Sequence, residues 1–445
     1  MGAEGGVVME SFFKLRERGS NLGQEARAGL TTFLAMAYII AVNPSLLSAA
    51  GVPASAAVTA TCLGAGIMTI CMGVFANRPL ACASGMGINA VVAFTLTEVA
   101  GGDWHAAMAV IFIEGVAILA LVLCGLREAI MDAIPISLRH AISVGLGIFI
   151  AMIGMANAGI IVANESTLVS FGDISNPLFI VGLVSIVATV VFQCLQIKGA
   201  LLLGIIVAVL AGIPLGVTAA PAGIVSGLDF STFGAPFQVD ETGVMGIAKV
   251  ITTPVLLVFA FSLMMSDFFD TMGTAMAVAK QGEFLNDDGT VEDIRPILIV
   301  DSVAAAAGGF FGASSITTFV ESASGAADGG RSGLTSVVTG LLFVVAAFFA
   351  PIISVVSSAA TCGALVMVGY LMMSEAAEIE WGNILEGFPA FMIIAGIPLT
   401  YSISSGIGLG FIAYVLVAAA TGNIKKVKPL MWVAAAAFLV YFLTA

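Results

Sequence analysis

Four residues in one apolar run are spaced to act together. In SDFFDTMGTAMA, Asp267, Asp270, Thr271 and Thr274 recur at three- and four-residue intervals, so on a helix they share one face. A carboxylate held in hydrocarbon costs about 2.5–3.5 kcal/mol on insertion scales, and such residues mark transport pathways or proton relays. Glu321, Asp301 (in VDSVAAAAGG) and Glu114 (in VIFIEGVAIL) also interrupt apolar sequence. Asp267 also fits a cap or pair near a helix end. Asp301 admits both a structural and a coupling role. Glu114 reads as structural, bonding neighbouring backbone or hydroxyls, and Asp328 and Arg331 read as a pair. His105 and His140, near segment ends, read as interfacial residues.

The elements that must position these acids are membrane helices. Of the 445 residues, 60% are apolar and 10% charged, against about 25% charged in soluble domains; mean hydropathy is +1.11. The net charge of −13 gathers in connections such as Asp287-Asp288 and Glu375 to Glu380, and no basic patch suggests a nucleic-acid partner. The six cysteines lie in apolar segments without disulfide or zinc spacing. The first twenty residues lack the apolar core of a signal peptide, so the first helix is expected in the mature protein.

Spans of about 20 apolar residues fall near 28–48, 55–76, 105–125, 138–158, 177–196, 198–217, 247–279, 295–312, 332–352, 355–373, 387–401, 403–421 and 429–444. The pair 387–401 and 403–421 reads as two helices or one broken one. Lys14, Arg16, Arg18 and Arg27 set the N-terminus on the cytoplasmic side. Arg78, Arg127, Arg139, Lys198, Lys280, Arg295 and Arg331 then also fall inside, and only Lys249 sits near the wrong side. Lys425, Lys426 and Lys428 prefer the inside as well. The expected fold is an all-α polytopic membrane protein of about fourteen transmembrane segments, sited in the plasma (inner) membrane.

Two stretches are poor spanning helices. RPLACASGMGINAVVAFTL (78–96) and GASSITTFVESASGAADGGRSG (312–333) are rich in Gly, Ser and Thr. Each comes third in a set of seven segments, counted as 79–97 and 313–330. Each reads as a short extended start followed by a half-helix. Bare backbone at membrane depth is tolerated only where protein or water covers it, and paired interrupted segments in two halves point to a transporter binding site. Half-helix N-termini offer free N–H groups and the positive end of a dipole. A glycine-rich packing seam is the competing reading.

Four stretches carry a family resemblance: EARAGLTTFLAMAYIIAVNPSLL (25–47), GMGINA (85–90), DFFDTMGT (267–274) and SSITTFVESASGAADGGRSGL (314–334). From about Gln24 to residue 440 the chain resembles azaguanine-like purine permeases of the nucleobase:cation symporter family. The resemblance implies two inverted seven-segment repeats, here 24–217 and 247–445. A cytoplasmic N-terminal segment, 1–23, precedes them, and an extracytoplasmic connection, 218–246, joins them. A core domain (24–125 and 247–352) would work against a gate domain (126–217 and 353–445), with short extended stretches in segments 3 and 10. It implies that Asp270 and Glu321 accept from the N–H and amino groups of a purine. Asn89, with Met86 and Gly87 of the same motif, would face that pocket, joined by Thr274 and by Ser322 beside Glu321.

Chemistry agrees with this assignment. A purine edge alternates donors and acceptors, and carboxylates accept while Asn89 and half-helix N–H groups donate. A site of that kind rejects analogues that leave its polar groups unpaired. The expected activity is import of hypoxanthine, guanine or adenine by alternating access, without enzymatic chemistry or cofactor. A proton is the expected coupling ion, exchanged at Asp267, Asp270 or Glu321, with Asp301 as a further coupling candidate. No metal ligands are assigned, and whether the chain pairs as a homodimer is open. Rival readings are a sodium-coupled nucleobase transporter, an anion transporter of the same fold, a channel, and an intramembrane aspartyl protease whose Tyr-Asp and Gly-x-Gly-Asp signatures are missing.

Overall fold

Side-chain caps mark where the apolar helices begin. In the computed structural model Asn21 accepts from the Gln24 N–H at 3.0 Å, Asp103 from His105 at 3.0 Å, Asn176 from Leu178 at 3.0 Å and Ser332 from Leu334 at 3.2 Å. Each satisfies an N–H that the helix leaves unpaired. The structure describes residues 10–444 apart from 126–134, 165, 198, 222, 240–242, 287–290, 354 and 402. Arg127, Lys198 and Asp287-Asp288 lie outside the described residues, as do the side chains of Lys280 and Lys426.

The first half runs α1 (Leu22–Met36), α2 (Ile39–Ala49), α3 (Ala54–Cys71), β1 (Cys82–Ser84), α4 (Met86–Val91, continuing through a π-helical turn to Val99), α5 (Trp104–Leu123), α6 (Ile136–Asn157), β2 (Ile161–Asn164), β3 (Leu168–Phe171), α7 (Pro177–Cys194) and α8 (Ala200–Gly212). The second half runs α9 (Gly246–Thr252), α10 (Pro254–Gly282), α11 (Ile294–Phe311), β4 (Ile316–Thr318), α12 (Ser322–Ala327), α13 (Gly333–Ala346), α14 (Ala350–Ile353), α15 (Cys362–Met372), α16 (Ile384–Thr400), α17 (Ile403–Ala420) and α18 (Pro429–Thr444). Among the described residues seven helical stretches are long and apolar enough to cross a membrane, and four more are shorter and apolar.

Two boundaries differ from the sequence reading, and one reading left open is resolved. The segment 247–279 splits before Pro254, where Thr253 is extended (φ −114°, ψ 96°), as the residue before a proline prefers. The stretch 387–421 is two helices, turned at Tyr401 with φ 52°. The span 355–373 becomes helical only at Cys362. The β2–β3 hairpin, with Ile161 opposite Phe171, was not foreseen.

Two packing groups form. In one, α13 packs on α1 and α3, α5 on α10 and α11, and α12 on α1 and α10. In the other, α6 packs on α15 and α16, α7 on α8 and α15, and α16 on α17. Glycine permits backbone contact inside each. Gly66 and Gly340 join α3 to α13, and Gly147 and Gly369 join α6 to α15. Glu25 of α1 anchors the start of α13, accepting from the backbone of Arg331 at 3.0 Å and from the Thr335 hydroxyl at 2.5 Å.

The stray cation is explained. Lys249 Nζ lies 3.2 Å from Asp103 Oδ2. Desolvation opposes ionisation of Asp103, but bonds from His105 and Lys249 outweigh it and hold its carboxyl below the usual carboxylate range. Asp328 and Arg331 have separate partners: Asp328 accepts from the Thr31 hydroxyl at 2.8 Å, and Arg331 pairs with Glu283 at 2.9 Å.

Candidate functional site

The two odd segments meet. β1 and β4 form an antiparallel ribbon with Cys82 opposite Thr318, Ala83 opposite Thr317 and Ser84 opposite Ile316, and all six residues are buried. Pairing supplies the hydrogen bonds that extended backbone must have away from water. A helix leaves each strand at once: α4 after Gly85, and α12 after Glu321. The crossing is tied further by Phe319 N–H to Ala81 O at 2.9 Å and by Ala81 N–H to Ser322 Oγ at 2.9 Å.

Asp270 and Glu321 lie within electrostatic reach of each other here. Tyr38, in the turn between α1 and α2, donates its hydroxyl to Glu321 Oε1 at 2.6 Å. The fields of both Asp270 and Glu321 act on that phenol. Asp270 is exposed and Glu321 partly so, although Asp267, Thr271 and Thr274 on the same helix are buried. The charges that reach Asp270 are Asp301 on α11, Glu375 beyond the end of α15, and Glu321.

The remaining candidates have other surroundings. Asp301 is buried and holds three elements together. Its Oδ2 accepts from the Thr271 hydroxyl at 2.6 Å. Its Oδ1 accepts from the Thr317 hydroxyl at 3.2 Å and the Thr318 N–H at 3.0 Å. Asn89 is fully buried, and its amide donates to Ser84 O at 3.3 Å. Ser322 is also fully buried, its oxygen taken by Ala81. The Asn89 amide nitrogen and the Ser322 oxygen thus serve the ribbon, because bare backbone at that depth needs partners, while Asn89 Oδ1 has no hydrogen-bond partner among the described residues. Met86 lines an apolar crevice with Leu46, Ala90, Ile150, Ile153 and Leu365. A Cβ on Gly87 would lie 3.3 Å from Leu146. Both therefore face α6 of the second packing group.

Sequence reasoning missed two things. Tyr38 sits within the quoted stretch 25–47, where its hydroxyl was the signal, the only one in LAMAYII. Glu114 was expected to bond its neighbours, yet neither carboxylate oxygen has a hydrogen-bond partner among the described residues.

This arrangement sets two carboxylates on separate elements, beside crossed half-helix starts. It can accept hydrogen bonds from a planar polar guest. The comparisons agree in kind. A family model described as a permease family matches residues 23–409. The adenine permease AdeP of Escherichia coli is 37% identical over 97% of this chain and 95% of its own length. The guanine/hypoxanthine permease PbuO of Bacillus subtilis is 37% identical over 96% and 99%. Among solved structures, the transmembrane domain of the cyanobacterium bicarbonate transporter BicA superposes with a TM-score of 0.61 at 16% identity. It covers 88% of this chain and 97% of that one, and shows the shared fold. With its helices, its paired broken segments and its full-length match to such relatives, the chain belongs to the permease family of integral membrane transporters and is not an enzyme.

Proposed function

We propose that this permease imports purine nucleobases by proton symport, moving a core group that carries β1, β4 and α10 against a gate group built on α6 and α15. The observation that carries the reading is Glu321 hydrogen-bonded to Tyr38 within reach of the field of Asp270, with both acidic residues keeping accessible surface. Acids at such a site accept from purine N–H and amino groups. They oppose an anion, which distinguishes this reading from bicarbonate transport on the same fold. AdeP and PbuO are named for adenine and for guanine and hypoxanthine. The lysines and arginines of the N-terminal segment favour a cytoplasmic N-terminus in the plasma membrane.

Uptake of radiolabelled hypoxanthine, guanine and adenine into cells lacking their own purine permeases tests the proposal. Asp270→Asn and Glu321→Gln each remove a charged acceptor worth about 1.5–3 kcal/mol, or roughly 10- to 150-fold in affinity. Uptake should fall by at least the lower figure while the protein remains in the membrane. Full transport by either variant removes the site assignment.

A further inference from the structure

Glu114 stands mid-way along α5, fully buried, with no protein hydrogen-bond partner for either oxygen among the described residues. Backbone closes around it. The adjacent Gly115 lies against α11, where a Cβ would come within 2.6 Å of the Ala306 Cα. Five residues before Gly115, the Val110 turn is also buried, and Gly309 of α11 lies against Phe112 and Met108, where a Cβ would meet Met108 O at 2.7 Å. The two helices therefore touch backbone to backbone on both sides of Glu114.

The groups whose fields reach Glu114 are Asp267 on α10 and Asp301 on α11, both 1% exposed and both acidic. These three carboxylates influence one another, yet they do not converge closely enough to cage a metal ion. An ionised carboxylate taken from water without a partner is strongly disfavoured, and neighbouring acids disfavour it further. A neutral carboxyl avoids most of that penalty.

We infer that Glu114 is a proton-binding residue of the transport cycle, loaded in the closely packed arrangement seen here and unloaded when movement of the core group against the gate group lets water reach it. This rests on the proton-symport reading above, and it moves the travelling proton away from the residues that face the guest. The step is a simple exchange: a water-borne proton joins one Glu114 oxygen, and the same O–H bond later breaks to return the proton to water on the other side. The surroundings connect Glu114 to the site. Asp267 lies one turn from Asp270, and Asp301 binds the Thr318 N–H three residues before Glu321. A charge left on Glu114 would disturb the packing that supports both.

The full chain in proteoliposomes tests this with two assays. Hypoxanthine counterflow needs no net proton movement. Accumulation driven by an imposed inward proton gradient does, and an entrapped pH-sensitive dye reports proton entry with substrate. Glu114→Gln keeps the side-chain shape and removes the exchangeable proton. It should retain counterflow, lose gradient-driven accumulation and show no substrate-dependent proton entry, while Glu114→Asp regains accumulation. Accumulation by Glu114→Gln at the wild-type level overturns the inference. So does joint loss of counterflow and accumulation in both variants, the pattern of a purely structural residue. Failure of the underlying reading looks different: unaltered protein without counterflow denies purine transport, and counterflow without proton entry denies symport.

Discussion

At the scale of single residues, the site depends on which polar atoms remain available once the fold has satisfied its own. Asp301, the Asn89 amide nitrogen and Ser322 are committed to backbone and hydroxyl partners. Asp270 and Glu321 keep accessible surface, and Tyr38 fixes the second of them. Tyr38→Phe deletes that hydroxyl and leaves the ring in place. A hydrogen bond to a charged group contributes about 1.5–3 kcal/mol, so the KM for the preferred purine should rise about tenfold or more with membrane levels unchanged. An unaltered KM would show that Glu321 is oriented by something else. The acids were legible in the sequence because a charge in an apolar run stands out. Their division into committed and available groups was not, since it depends on partners 16 to 283 residues away.

At the scale of elements, half-helix α12 is held by contact that tolerates no added atom. A Cβ on Gly325 would overlap Thr32 Oγ1 and come within 2.6 Å of Ala28 O on α1. Gly325→Ala should push α12 away from α1, carry Glu321 off Tyr38 and abolish uptake. Gly227→Ala, where nothing lies within 4 Å, should transport normally. Equal transport by the two would remove α12 packing as a determinant of the site. Both broken segments were readable from their Gly, Ser and Thr content, since a spanning helix does not need so many small polar residues. Their pairing was not readable, because strand register is set by a partner more than two hundred residues distant. The break between 387–401 and 403–421 was readable; the left-handed backbone at Tyr401 was not, because backbone conformation leaves no mark on hydropathy.

At the scale of the whole molecule, the two packing groups are built differently from the boundary between them. Within each group, helices meet backbone to backbone through glycine, as at Gly66 with Gly340 and Gly147 with Gly369. Contacts of that kind separate only at the cost of close packing. Across the boundary side chains make much of the contact, Met86 and Ala90 against Ile150 and Leu365, and Phe94 of the first group against Tyr401 of the second with ring centroids 6.0 Å apart, while Gly199 before α8 approaches Leu34 O of α1. Flexible methionine and aliphatic surfaces can slide and repack, so relative motion should occur here. Phe94→Cys with Tyr401→Cys, in a background where the exposed Cys124 and Cys194 are replaced by serine, places one thiol on each side. Joining them with a short bifunctional methanethiosulfonate should stop purine uptake, and reduction should restore it, while either single variant treated alike continues to transport. If the joined protein transports at the unjoined rate, the two groups do not move against each other at Tyr401, and access must alternate by motion inside one of them.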